Sequence, residues 1–174
     1  MTRTRNDLSL TATAHHEASH AVVHLTFGHT VTSVSIMKSA DGNGVVTIPS
    51  PMLADLGDTD LRRRRRRYAR QSIIASFAGL IGHRRIDPDA PDSHGASDES
   101  MAWELSTDYE VWPPRCETIG DEVHRDYLET LRRKAGRLVT QYWSEVGVLA
   151  GLLLKRKKLD TKQIEKFARR YFSE

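Results

Sequence analysis

The sequence is poor in cysteine and in long apolar segments, and it contains no phosphate-binding loop. Cys116 is the only cysteine, which excludes an internal disulfide and a thiolate metal cluster. The longest nearly pure apolar run, 146–154, is far shorter than the ~20 residues of a membrane-spanning helix. The first ten residues have no apolar core of signal-peptide length. We therefore expect a cytoplasmic protein, without a membrane segment or a nucleotide site, in which histidines and carboxylates would hold any metal.

Charge is unevenly distributed along the 174 residues, although the net charge is only +3. Arg62–Arg67 is an unbroken run of six arginines, and the loop that follows the next apolar stretch is rich in aspartate. Such a run is usually a solvated or partner-facing surface. It is also compatible with nucleic-acid binding through phosphate contacts, with an acidic partner protein, or with an oligomer contact to the aspartate-rich loop of a neighbouring copy.

Hydrophobic periodicity predicts a mostly helical α+β domain. Apolar residues recur every three or four positions from Ser9 or Thr11 to about Phe27, which predicts a helix that ends before Gly28. β-Branched residues on both sides of the turn SADGNG predict a β-hairpin over residues 31–49. Residues 1–9 are predicted to form a polar tail that precedes this helix.

Helices are predicted for most of the remaining sequence. One begins at Asp58 or Asp60 and carries the arginine run in its first turns, and another begins at Ser97 or Asp98. The predicted C-terminal helices cover about 118–135, 136–156 and 161–172.

The predicted domain spans residues 10–174 in two parts. The first part, about residues 10–112, carries the candidate site. The second part, residues 117–174, is predicted to form a C-terminal helical bundle. Asp160 and Gln163 form a capping box at the start of the last helix.

The segment HHEASHAVVH, residues 15–24, carries the strongest functional signal. His16 and His20 are four residues apart, so on a helix they share one face and can bind a single zinc ion. Glu17 follows the first of them and can reach a water molecule on the metal, whose pKa zinc lowers to ~7. The glutamate then acts as general base. The alternative is a chance match on a polar helix surface.

A catalytic zinc site needs a third protein ligand. No glutamate occurs between Glu17 and Glu99, so an aspartate or a further histidine is expected. The histidine candidates are His29, His83 and His94. Asp98 is the best candidate because it begins a predicted helix after a Gly-Ala-Ser turn. Glu99 is its rival as ligand, and a helix N-cap is the alternative role for Asp98.

Several segments are similar, in order, to segments of one known family. TAHHEASHAVV is similar to a helix of the pattern A-x-H-E-A-G-H-A, and VTSVSIMKSADGNGVVTIPS to the strand, glycine turn and strand after it. IIASFAGLIGHRRI is similar to a glycine-containing helix, and HGASDESMAWEL to a T-G-A-S-N-D segment. The C-terminal helices are similar as well. Over about residues 10–172 the chain thus resembles the peptidase domain of the FtsH-type, membrane-anchored AAA zinc proteases.

The resemblance implies that His16, His20 and Asp98 are zinc ligands and that Glu17 is the catalytic glutamate. One residue of the A-S-N-D stretch is missing here. A gap at the asparagine aligns Asp98 with the ligand, whereas an ungapped alignment selects Glu99. The family's ATPase domain and membrane segment are absent from this sequence. Its acidic G-G-R-x-A-E-E helix reads AGLIGHRR here, which alters the residues expected to support the zinc histidines.

These features predict a zinc-dependent metalloendopeptidase that cleaves flexible or unfolded polypeptides. In the resembling family, as in zinc peptidases generally, an extended substrate lies along an edge strand, and either strand of the hairpin could serve. The alternatives are a catalytically inactive, peptidase-like binding or adaptor protein and a nucleic-acid-associated regulator that uses Arg62–Arg67. Besides the substrate, the expected partners are a separate AAA unfoldase, an acidic protein or further copies of the chain.

Overall fold

The computed structural model describes residues 5–37, 44–48, 59–111 and 121–172. Its helices are α1 (Arg5–Thr26), α2 (Thr59–Ile86), α3 (Ala96–Asp108), α4 (Asp121–Gln141), α5 (Trp143–Arg156) and α6 (Thr161–Tyr171), and its strands are β1 (Ser33–Ser35), β2 (Val45–Thr47) and β3 (Lys158–Leu159). A 3₁₀ turn, Asp92–Gly95, precedes α3. This architecture confirms the predicted mostly helical α+β fold. No helix in the described ranges is both long enough and apolar enough to cross a membrane.

The three strands form one small antiparallel sheet in the order β2-β1-β3. Val34 of β1 lies opposite Val46 on one side and Leu159 on the other. The pairing of β1 with β2 confirms the predicted hairpin, whose tip, residues 38–43, lies outside the described residues. Strand β3 was not predicted, because a two-residue strand has no periodicity to recognise. Both edges of β1 are therefore paired, and β2 lies at the margin of the sheet.

The start of α1 differs from the predicted position, whereas the start of α2 agrees with it. Helix α1 begins at Arg5, so residues 5–9 of the predicted tail are helical, and the Thr13 hydroxyl donates to the Ser9 carbonyl inside the helix. Helix α2 begins at Thr59. Asp60 consequently lies in its first turn, while Asp58 is outside the described residues. Helix α1 thus extends past Ser9 and Thr11, the polar residues that were expected to cap it.

The junction between the two long C-terminal helices also differs. The chain leaves helical geometry only at Tyr142, six residues beyond the predicted boundary, and Gly136 lies inside α4. A single glycine weakens a helix interior without ending it. The capping box of α6 is confirmed: Asp160 accepts a hydrogen bond from the Gln163 amide, and the Gln163 side chain accepts one from the Asp160 amide.

Helix α1 is the centre of the molecule. Its alanines, Ala14, Ala18 and Ala21, pack into a core with the sheet, α5 and α6. Val23 belongs to a second core, formed mainly by α2 and α4. Because α1 is covered on both sides, Glu17 and His20 are buried, unlike the residues of an open polar helix surface.

Candidate metal centre

Helices α1 and α3 bring three potential metal ligands to one point. The Nε2 atoms of His16 and His20 lie 2.9 Å apart. His16 Nε2 is 3.2 Å from Asp98 Oδ2, and His20 Nε2 is 3.5 Å from Asp98 Oδ1. One donor atom from each of the three side chains lies within 4.8 Å of the others, so the group can hold a metal ion.

A hydrogen bond from the Nδ1 side of the ring fixes the orientation of His20. Its Nδ1 lies 2.7 Å from the carbonyl oxygen of Ala75 in α2, and only a protonated Nδ1 can donate to that oxygen. In the neutral ring this leaves the lone pair of Nε2 directed at Asp98 and His16. A backbone carbonyl behind a histidine is a common outer support of a metal ligand. In this chain the Ala75 carbonyl is in the position to give His20 such support.

The polar atoms of His16, His20 and Asp98 interact poorly with one another and would interact well with a cation. Asp98 Oδ2 is buried and accepts no regular hydrogen bond from the described residues, although it lies 3.2 Å from His16 Nε2. The two Nε2 atoms lie 2.9 Å apart, and two unprotonated imidazole nitrogens repel each other at this distance unless a proton or a cation lies between them. A divalent ion would satisfy all three groups. Two imidazoles and a carboxylate are donors that transition metals accept.

Glycines let the backbone approach this group closely. A Cβ at Gly79 of α2 would lie 2.2 Å from His20 Nε2 and 2.6 Å from His16 Nε2. A Cβ at Gly44, immediately before β2, would lie 2.4 Å from Glu17 Oε1. Any larger residue at Gly79 or Gly44 would therefore displace a side chain of the site.

Glu17 is buried beside the three ligands, with 6% of its surface exposed. Burial raises the pKa of its carboxyl to about 7, although the nearby charge of His20 acts in the opposite direction. A carboxylate with a pKa near neutrality can both accept and return a proton at physiological pH, which is the requirement for a general base.

The charges of the ligands depend on one another. Burial lowers the pKa of His16. Burial also lowers the pKa of His20, but the charge of Asp98 and its hydrogen bond outweigh this and raise that pKa to about 9. Burial raises the pKa of Asp98, but the charge of His20 and the close polar contacts with both histidines outweigh burial and hold the pKa of this carboxyl well below its usual range. Without a metal, an imidazolium–carboxylate pair occupies the site.

The site opens into a cleft of about 620 Å³. Gly44, Val45, Val46 and Ile48 line one wall, so β2 borders the cleft along its length. The opposite wall includes His94 and Met101. The candidate ligands thus lie at the base of a groove beside a strand with an unpaired edge within the described residues.

Two of the rival ligands, Glu99 and His29, make contacts with other residues. Glu99 accepts a hydrogen bond of 2.9 Å from Arg132 of α4. His29 stacks on Tyr68 and contacts His24 and Gln71.

His83 and His94 line the cleft, but they pair with each other at 3.2 Å between His83 Nε2 and His94 Nδ1. The N-cap alternative for Asp98 does not hold, because Gly95 is the N-cap of α3 and Asp98 lies within its first turn.

Two features of the site were not found by sequence reasoning. The Ala75 carbonyl gives no signal in the sequence, since every residue has one. His24, the last residue of the HHEASHAVVH segment, lines the cleft, and its Nδ1 lies 2.9 Å from His29 Nδ1. The spacing of four residues from His20 was the available signal for His24.

No protein-family model and no curated protein matches the chain. The resemblance to the FtsH-type peptidase domain therefore stays a prediction. The function proposed below depends on the geometry of the site.

Proposed function

We propose that the protein is a zinc-dependent metallopeptidase. The observation that carries this proposal is the convergence of His16, His20 and Asp98 with the buried carboxyl of Glu17 beside them, at the base of a cleft bordered by β2. A site that only stored a metal would not need a carboxyl of raised pKa beside the ligands.

Zinc is the metal that suits this arrangement. Three protein ligands drawn from imidazole and carboxylate, with one side open to a cleft, are typical of catalytic zinc, whereas structural zinc is enclosed by four. Zinc held by these residues would lower the pKa of a water molecule and polarise the carbonyl of the bond to be cleaved.

Glu17 supplies the proton transfers. Its carboxylate takes a proton from the attacking water and later gives it to the nitrogen of the departing amine. Burial in the cleft wall holds this carboxyl near the pKa at which both transfers are fast around neutral pH.

The substrate would add to β2 as an extended strand. Since β1 is paired on both sides, the outer edge of β2 is, among the described residues, the hairpin edge that can accept a further chain. Main-chain pairing at this edge tolerates many side chains and requires an extended peptide. Unfolded or flexible polypeptides are thus the expected substrates, and a separate AAA unfoldase is the expected partner for folded ones.

Replacing Glu17 with glutamine tests the mechanism. We expect Glu17→Gln to keep one zinc per chain and to lower the rate of cleavage of an unfolded, fluorescently labelled casein by about 10²–10⁴-fold, since only the proton acceptor is lost. Metal content and cleavage are measured on the same samples.

The matched pair Asp98→Ala and Glu99→Ala provides the control. The first should lose zinc and activity together, and the second should retain both. Full activity in Glu17→Gln would refute the mechanism. A zinc-loaded wild type that cleaves no unfolded chain would refute the enzyme and favour a peptidase-like binding protein.

A further inference from the structure

The arginine run forms a positively charged surface that has no role in the proposed peptidase mechanism. Between residues 62 and 70, six arginines are exposed: Arg62, Arg63, Arg64, Arg66, Arg67 and Arg70. Arg65 is the partly buried member of the run. Within the described residues two carboxylates contact this group: Asp60 lies 3.6 Å from Arg63, and Glu110 bonds Arg66. Both ion pairs are solvent-exposed, so neither neutralises the surface strongly.

Five of these arginines share one face of α2. At 100° per residue, Arg62, Arg66, Arg70, Arg63 and Arg67 follow one another around an arc of about 140°. We call these five residues the arginine face. It is about 12 Å long. Leu61 and Tyr68 lie on the opposite side of the helix and are partly buried.

The arginine face is unfavourable for the isolated helix. Like charges at four-residue spacing repel, as in Arg62 with Arg66 and Arg63 with Arg67. The same cations lie in the first turns of α2, where the helix dipole favours anions. An anionic partner along this face would relieve both effects.

We propose that the arginine face binds the phosphate backbone of nucleic acid. Every cation of the face is arginine, and a planar guanidinium can bind two phosphate oxygens at once. An interface with an acidic protein would normally include an apolar or aromatic anchor. Between Arg62 and Arg70 the exposed face offers none, whereas binding to a polyphosphate needs only charge. The chemistry predicts binding without sequence preference.

A matched pair of triple variants tests this proposal. Arg63→Gln/Arg67→Gln/Arg70→Gln removes three charges from the arginine face, and Lys162→Gln/Lys166→Gln/Arg169→Gln removes three at the same spacing from α6, which packs in the other core. The probe is a fluorescein-labelled DNA duplex of 20 base pairs, titrated by anisotropy at several salt concentrations between 50 and 200 mM.

Wild type should bind with a log–log salt slope of about −4, as expected for four or five phosphate contacts. The α2 triple should weaken binding at least tenfold at the lowest salt and reduce the slope by about 2.7, while the α6 triple should stay within twofold of wild type. Arg63→Lys/Arg67→Lys/Arg70→Lys should keep most of the slope, because the charges remain. Circular dichroism checks that each variant is folded.

Equal losses in the two glutamine triples would overturn the proposal, since net charge alone would explain them. Absence of binding by wild type would also overturn it. Binding to poly-L-glutamate but not to the duplex would replace it with an acidic-protein partner. The assay requires neither metal nor cleavage, so its outcome is independent of the proposed peptidase.

Discussion

At the scale of single residues, the protonation of His20 controls how the site takes up a cation. The folded-state pKa of His20, about 9, lies above the ordinary value of 6.5 because the charge and hydrogen bond of Asp98 outweigh burial. At pH 7 the metal-free site therefore holds an imidazolium next to a carboxylate. For a base with a raised pKa, the stabilising effect is complete below pH 6.5 and is lost as the pH rises through 9.

Zinc bound at this site would displace the proton of His20. We expect about one proton to be released per zinc at pH 7, and the zinc affinity to rise with pH by up to tenfold per unit until pH 9. Isothermal titration in buffers of different ionisation enthalpy measures the proton count. Glu99→Gln is the control and should release the same number. A binding enthalpy that does not depend on the buffer would contradict the predicted imidazolium.

At the scale of helices, the close packing of α1 against α2 sets the geometry of the site. A Cβ at Gly82 would lie 2.0 Å from Ser19 Oγ and 2.9 Å from the His15 carbonyl oxygen. Ser19 is fully buried and donates to that same carbonyl at 2.7 Å. A methyl group at Gly82 would therefore push apart the two helices that hold His20 and its Ala75 support.

Gly82→Ala should lower the free energy of unfolding by about 1–3 kcal/mol, the usual cost of overpacking. Adding Ser19→Gly should restore part of the loss, because the nearest clash is then removed while the His15 carbonyl remains. Urea denaturation of both variants measures the coupling. Gly136→Ala in α4 is the control: its Cβ would meet nothing within 4 Å, so a gain of about 0.5–1 kcal/mol is expected. Additive effects of Gly82→Ala and Ser19→Gly would show that the two positions do not touch.

At the scale of the whole molecule, a bound metal would cross-link distant parts of the chain. His16 and His20 lie in α1, and Asp98 lies in α3, which β1, β2 and α2 separate from α1 along the sequence. The unfolded chain does not bring these residues together, so metal binding selects the folded state.

Zinc should therefore raise the thermal stability of the wild type. At a free zinc concentration of 100 times its dissociation constant, the gain is about 2.7 kcal/mol. Thermal melts with zinc and with a chelator measure the shift, and Asp98→Ala should show little of it. A similar shift in wild type and Asp98→Ala would mean that zinc binds elsewhere in the molecule.

The sequence by itself determined the features that depend on local spacing. Residues four apart on a helix must share a face, so the pairing of His16 with His20 follows from their spacing alone. Apolar periodicity likewise predicted the helices, and the SADGNG turn between β-branched runs predicted the hairpin. Helix ends were predicted less well. Helix α1 begins before the polar residues that were expected to cap it, and α4 continues past Gly136, where the local preference favours an end.

Only the tertiary structure decided among alternatives that are equivalent in sequence. Asp98 and Glu99 are neighbours of the same chemical type, but the packing of α3 directs Asp98 to the histidines and Glu99 to Arg132. From the sequence, both strands of the hairpin are equally able to accept a substrate. In the structure β3 pairs with β1 on the side away from β2, so β1 has no edge left for a substrate. The carbonyl of Ala75 became a support for His20 only through the contact of α1 with α2. Such choices depend on contacts between residues far apart in the chain, which no local spacing encodes.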